Sequence, residues 1–304
     1  MGPYLLRRFV HTFLVVLGVI TLVFVLIRLS GDPASLYMPE DATPAEIEAY
    51  RERMGWNKPI YEQFGIYIWR LLHADFGMSL RHNEPALGLI LERVPATLEL
   101  TGVAFFFALI VAIPVGVLSG VRRNSLLDSV ARVFALVGQC MPNFWLGILL
   151  ILFFAVKMHW LPAYGRGDVT NLILPGATLG LSMVATTMRL LRSSVLDVLG
   201  EDHVRTARAK GLREGSVVMH HVLKNAAIPV ITVIGLELGA LLSGSIITET
   251  VFAYPGMGRL AVQAIAMRDF PVVQAFVAVS AVIYALANLA VDLLYTVVDP
   301  RIRL

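Results

Sequence analysis

The chain has 304 residues, 57% of them hydrophobic and 15% charged, with a mean hydropathy of +0.72. That is more apolar side chain than a water-soluble core of this length needs, which excludes an ordinary soluble domain and points to a membrane protein. A net charge of +3 is too small and too dispersed for a nucleic-acid binder, and the single Cys140 can build neither a disulfide framework nor a thiolate metal cluster.

Six segments reach the roughly 20 apolar residues that a helix needs to cross a bilayer. They fall near 9–29, 96–119, 131–156, 172–195, 229–251 and 272–298. The first begins behind Arg7 and Arg8; its apolar run outlasts the core of a signal peptide, and Gly31-Asp32-Pro33 offers no small-residue cleavage site, so it reads as an uncleaved anchor. The next segment, 31–95, is too mixed in charge to span, yet it carries helix signals. Thr43 caps, Pro44 takes the first helical position, Glu46 completes a capping box and Gly55 ends the helix. A second helix is expected from Pro59 to Leu72, then a turn at Asp75 to Leu80, with Pro95 opening the second span. No nucleophile–base pair or metal-ligand spacing occurs there, so this segment is expected to be a small cap on the bundle rather than a catalytic domain.

Pro114 and Pro142 are expected to kink spans two and three, which bundles tolerate where neighbours satisfy the freed carbonyl. Ionisable groups inside spans are costly and each needs an account. Arg189 and Arg192 approach one end of span four, while Glu237 lies about 12 Å into span five and Asp292 about 10 Å into span six at the helical rise. The expectation is that Arg189 pairs with Glu237 or Asp292 as a contact between helices, either permanent or gating. Glu99 and Glu249 should approach the opposite membrane face, as pathway candidates or as headgroup-level residues. Gln139, Asn143 and Asn288 are further polar candidates for the pathway or for helix contacts.

The basic residues orient the chain. Arg7, Arg8, Arg122, Arg123, Arg205, Arg208, Lys210, Arg213, Lys224, Arg301 and Arg303 lie in one set of tails and short loops, against Lys157, Arg166, Arg259 and Arg268 in the other. The excess places both termini in the cytoplasm and segment 31–95 outside.

One cytoplasmic stretch, EDHVRTARAKGL at 201–212, interrupts the apolar sequence. Glu201 and Asp202 open it, Arg208 and Lys210 stand near its end, and Gly211 suits a left-handed cap, so the charges match a helix dipole over about 201–211. Val204, Ala207 and Gly211 share one face of small side chains beside Arg205 and Arg208. A helix resting on lipid favours bulky Trp, Phe or Leu on its apolar face, so the small face is expected to dock into a protein groove.

The stretch around Arg205 to Leu212 resembles the signature of permease subunits of bacterial ABC importers, in the dipeptide, oligopeptide, glutathione and nickel branch. GDPA (Gly31 to Ala34), DFGMSL (Asp75 to Leu80), KNAAIPVIT (Lys224 to Thr232), YPGMGRL (Tyr254 to Leu260), MRDFP (Met267 to Pro271) and DPRI (Asp299 to Ile302) resemble the same branch in order, over nearly the whole chain. Arg205-Thr206-Ala207 stands where the general signature opens with Glu-Ala-Ala, a departure typical of this branch.

The resemblance implies an all-α integral membrane protein with six transmembrane helices, arranged as a tail and first span (1–30), an external cap (31–95) and a core permease (96–304). It implies no catalytic residue and no cofactor bound by this chain. The helix bearing Val204, Arg205, Thr206, Ala207, Arg208, Lys210 and Gly211 would dock on an ATPase subunit, and ATP and Mg would sit on two such partners. A second, non-identical permease, an external solute-binding protein and a bacterial inner membrane complete the expected setting. Tyr254, Pro255, Gly256, Gly258 and Arg259 would lie at the external mouth, before a short helix at about 259–267. The absence of any G-x-x-x-x-G-K-[ST] loop agrees with energy supplied from elsewhere, and adjacent His220 and His221 diverge too far on a helix to share a metal. The competing class is a self-sufficient ion-coupled transporter or channel, which commonly carries an internal repeat that this sequence lacks.

Overall fold

The computed structural model describes residues 2–29, 34, 38 and 42–298, and these are helical throughout apart from turns and one isolated β-bridge between Met78 and Pro85. The chain divides into two compact units, one of residues 1–95 with 257–285, the other of 96–256 with 286–304.

In the first unit, α1 (Gly2–Leu29) is followed by α2 (Pro44–Met54) and α3 (Ile60–Leu72). The start and stop of α2 are written in its sequence. Thr43 accepts from the Glu46 N–H, Glu46 accepts in return from the Thr43 N–H at 2.8 Å, and Gly55 closes the helix at φ +72°. Phe24 near the end of α1 packs against Phe64 and Tyr67 of α3, with ring centroids 5.3 and 5.2 Å apart. The first turns of α4 (Ala86–Val121), α10 (Met257–Ala266) and the start of α11 (Phe270–Val298) close a core of Ala86, Leu89, Ile90, Leu260, Val272 and Ala275. Ser79 donates to the buried Asp269 at 2.5 Å, tying the turn after α3 to the turn after α10.

The second unit holds the rest of α4, α5 (Leu126–Cys140), α6 (Asn143–Leu150) with a π-helical extension Ile151–Lys157, α7 (Thr170–Leu199), α8 (Asp202–Ala209) and α9 (Leu223–Val251), the last entered through Glu214–Ser216 and a π-helical stretch Val217–Val222. Helix α7 is the hub, packed on α5, α6 and α9. Its approach to α4 is very close: a Cβ on Gly180 would lie 2.6 Å from the Ala104 carbonyl oxygen, and one on Gly120 would lie 2.6 Å from Val195. Small residues let backbones approach in this way and gain dispersion contacts where lipid supplies no hydrophobic driving force between helices.

Two proline expectations are corrected. Pro95 does not open a span, because α4 begins at Ala86 and carries Pro95 inside it. Pro142 does more than kink: proline disfavours the helical region for the residue before it, Met141 is extended at ψ 125°, and α5 and α6 meet at 110°. Among the described residues four helices are long and apolar enough to cross a membrane, five if this bent pair is one span, and the apolar stretch of α1, Phe13–Leu26, is shorter. The chain is a multi-pass, all-helical membrane protein. The GDPA and DPRI stretches lie outside the described residues except for Ala34, as do the side chains of Arg7 and Arg8.

Candidate functional site

Helix α8 forms where its sequence places it. Glu201 stands at the N-cap in extended conformation, Asp202 sits in the first turn and Arg208 in the last, each complementing the helix dipole. Gly211 follows at φ +77° and donates to the Arg208 carbonyl at 2.9 Å, so the left-handed stop is a glycine as expected.

The small face does not point outward. Val204 is fully buried and Ala207 nearly so, packed in this chain's own core with Leu191, Val195, Val217 and Val222. This corrects the expectation that both are offered to a groove on a partner: burying them within the chain removes more apolar surface from water than an exposed small stripe would. Arg205, Thr206, Arg208, Lys210, Gly211 and Leu212 remain exposed. Arg208 is held by Glu214 through Nε at 3.1 Å and Nη2 at 2.6 Å, and this hydrogen bonding raises its guanidinium pKa. Arg205 lies 3.4 Å from Asp202. His203 sits 3.0 Å from the Glu201 carboxylate and 3.2 Å from Asn225, while His220 bonds the Ser216 carbonyl.

The intramembrane polar residues also pair differently from expectation. Arg189 donates to Gln139 at 2.7 Å, joining α7 to α5, and no Arg189–Glu237 ion pair forms among the described residues. The side chain of Asp292 lies outside the described residues. Arg192 instead finds Asp128, a residue that sequence reasoning missed. Asp128 is fully buried and accepts from Arg192 Nε at 2.6 Å, Arg192 Nη2 at 2.9 Å, Ser119 Oγ at 2.5 Å and the Asn124 N–H at 3.0 Å. All of its oxygens are used, which is what a buried carboxylate requires. The signal was the need of Arg192 for a carboxylate; Asp128 was obscured because an acid three residues after Ser125 also suits the N-terminus of α5.

Glu99 and Glu249 each have a defined setting. Glu99 is partly exposed, binds Arg166 through Nε at 2.9 Å and Nη2 at 2.6 Å, and accepts from the Tyr254 hydroxyl at 3.2 Å. Hydrogen bonding to Glu99 raises the Arg166 pKa. Burial, with the Glu99 charge adding to it, pushes the Tyr254 phenol up to about 12. Glu249 is fully buried, and Thr97 donates to it at 2.6 Å. Gly256 lies against it: a Cβ there would be 2.2 Å from the carboxylate carbon. Arg166 and Thr97 were not singled out from sequence, because a loop arginine and a helix threonine carry no local signature. Pro255 and Arg259 are half-buried, Tyr254, Gly256 and Gly258 buried, and the short helix after them is α10. Gln139 is exposed, and Asn143 and Asn288 are half-buried. Among the described residues no three His, Cys, Asp or Glu side chains cluster as metal ligands.

Residues 112–304 match the family described as binding-protein-dependent transport system inner membrane component, and residues 1–101 match its N-terminal companion. The chain belongs to this family of permeases. It is 40% identical to the dipeptide transport system permease protein DppB of Alkalihalophilus pseudofirmus, over 100% of both chains. It is 40% identical to the DppB of Escherichia coli K12, over 100% of this chain and 99% of that one. It is also 41% identical to the glutathione transport system permease protein GsiC of Escherichia coli K12, over 99% and 98%. Among solved structures, the MetNI methionine ABC transporter in an inward-facing form matches with a TM-score of 0.56 at 21% identity, covering 69% of this chain and 96% of that one. At that identity the likeness concerns the fold alone.

Proposed function

We propose that this permease lines half of an inward pathway for small peptide-like solutes, with ATP hydrolysed on separate subunits. The observation that carries the reading is α8: a short charged helix between two membrane helices, fixed to the bundle by Val204 and Ala207, with its other face open. Arg205, Thr206, Lys210, Gly211 and Leu212 form the docking face for an ATPase, and Val204 and Ala207 anchor the helix from behind.

The six spans are α1, α4, the bent pair α5–α6, α7, α9 and α11, with both termini on the cytoplasmic side that the excess of basic residues selects. The cell membrane of a bacterium is the setting. The cap of α2 and α3 and the turn at Tyr254 to Gly256 then lie outside, where a solute-binding protein delivers cargo. Two relatives named for dipeptides and one for glutathione support a cargo with peptide bonds and free charged ends. Glu99, held by Arg166 but partly exposed, is placed to meet its amino group.

The test is reconstitution. The chain is purified from its native membrane with whatever co-purifies, placed in liposomes, and assayed for ATP hydrolysis with and without loaded binding protein. Co-purification of an ATPase pair and a second permease, with stimulated hydrolysis, supports the reading. A chain that elutes alone and moves solute along an ion gradient overturns it in favour of a secondary transporter.

A further inference from the structure

A cleft of about 600 Å3 in the first unit lies beside α2, α3 and the outer end of α1 and has no role in the reading above. Its wall is aromatic, with Tyr50, Trp56, Tyr67 and Phe76, and it carries two guanidiniums, Arg53 and Arg70. Neither arginine has an ion-pair partner among the described residues. The one carboxylate in the described lining, Asp75, accepts from the Gly77 N–H at 3.0 Å through Oδ1 and pairs with neither arginine among the described residues. Gln63 adds an unused acceptor: its Nε2 donates to the Trp56 and Lys58 carbonyls, and its buried Oε1 has no partner.

Helix α3 shows where the cleft opens. Tyr61, Trp69 and Leu72 are all exposed and fall within about 80° of one another on the helix, whereas Gln63 and Arg70 lie on the opposite side, toward the cleft. The contact of Phe64 and Tyr67 with Phe24 fixes this helix against the last turns of apolar α1. A helix with Tyr, Trp and Leu on an unpartnered face, held at the end of a membrane helix, lies in the interface between headgroups and acyl chains.

We infer that α3 lies in the membrane interface and that the cleft behind it binds one anionic phospholipid, its phosphate on Arg53 and Arg70. A glycerol headgroup hydroxyl donates to Gln63 Oε1, and the aromatic wall takes the start of an acyl chain. Tyr67, in the same wall, brings a phenol hydroxyl that can donate to the headgroup. A free phosphate would satisfy the arginines and leave the aromatic wall uncovered, which is why the lipid is the better match.

The site rests on α1 being embedded in the bilayer. It is read without any transport assay, so its failure leaves the importer reading standing, and a failure of import leaves it measurable. The experiment uses the full complex in nanodiscs of phosphatidylcholine doped with phosphatidylglycerol, with retained lipid counted by native mass spectrometry. The parent is expected to retain phosphatidylglycerol through millimolar inorganic phosphate, and Arg53→Gln/Arg70→Gln to retain at least about tenfold less, as loss of charge-assisted hydrogen bonds implies. If the double variant fails to assemble, Arg70→Gln alone carries the comparison, with a several-fold loss expected. Equal retention by parent and assembled variant overturns the site, and so does full displacement by inorganic phosphate. Trp69 emission, isolated by difference from Trp69→Phe, should be quenched by lipids brominated near the headgroup; no quenching overturns the placement of α3.

Discussion

Arg192 clasps Asp128 through two hydrogen bonds, 2.6 and 2.9 Å, fastening the start of α5 to α7 seven residues before α7 ends. The pair is not worth much as a pair, since burying two charges costs about what their attraction returns. Breaking it is another matter. Asp128→Ala leaves a half-buried guanidinium uncompensated and strips Ser119 and the Asn124 N–H of their acceptor, so it should cost about 3 kcal/mol or more. Arg192→Lys should recover only part of this, because an ammonium cannot reproduce the fork. Thermal unfolding of the purified complex reads both, and a midpoint unchanged in Asp128→Ala would refute the clasp.

Gly256 is constrained by space. A Cβ there would meet the Glu249 carboxylate at 2.2 to 2.4 Å, and Glu249 is fully buried with Thr97 bonded to it. Gly256→Ala should therefore displace that carboxylate and cost about 1–3 kcal/mol, the range for overpacking a filled site. Gly256→Ala in a Glu249→Ala background should cost much less, and a thermal-melt double-mutant cycle would show the coupling.

Gly211 is constrained by its backbone alone: it sits at φ +77°, and an added Cβ would have no heavy atom within 4 Å. Gly211→Ala should cost about 1 kcal/mol of left-handed strain, and Gly211→Asn less. Gly211→Trp adds bulk on the exposed side of α8 and should leave insertion intact while uncoupling ATP hydrolysis from uptake. Normal coupled uptake in that variant would remove α8 from the docking role.

Tyr254 titrates late. Its folded pKa is raised from the ordinary 10.0 to about 12, so the stabilisation from keeping its proton is complete below pH 10.0 and is lost as pH rises toward about 12. Tyrosinate absorbance should show late-titrating phenols, Tyr67 and Tyr254 among them, and Tyr254→Phe should remove one of them. Tyr254→Phe should also flatten the alkaline fall in thermal stability between pH 10.0 and about 12; an unchanged late step would contradict the buried setting.

What the sequence made legible was local. The Thr43–Glu46 box, the Gly55 and Gly211 stops and the charge order of α8 follow from chemistry within four residues, and the structure reproduces them. The pairing of charges was not legible in the same way. Depth along a span brought Arg189 and Glu237 level, but depth does not fix which helices are neighbours, and α7 turns Arg189 toward Gln139 and Arg192 toward Asp128. The same gap explains Val204 and Ala207: periodicity gathered them on one face and gave no hint that Val195, Val217 and Val222 would cover it. Met141–Pro142 announced an interruption, but not its 110° angle.

The anchoring of α8 has a mechanical consequence. Close-packed interiors are nearly incompressible, so a helix plugged into one by Val204 and Ala207 has no slack in which to absorb a push. On the proposed docking, a displacement imposed on Arg205 or Lys210 would reach Leu191 and Val195 of α7, and through Val195 the closely approached Gly120 of α4. On that reading the element would act less like a hinge than like the handle of a rigid tool, moving with α7 rather than flexing at a loop.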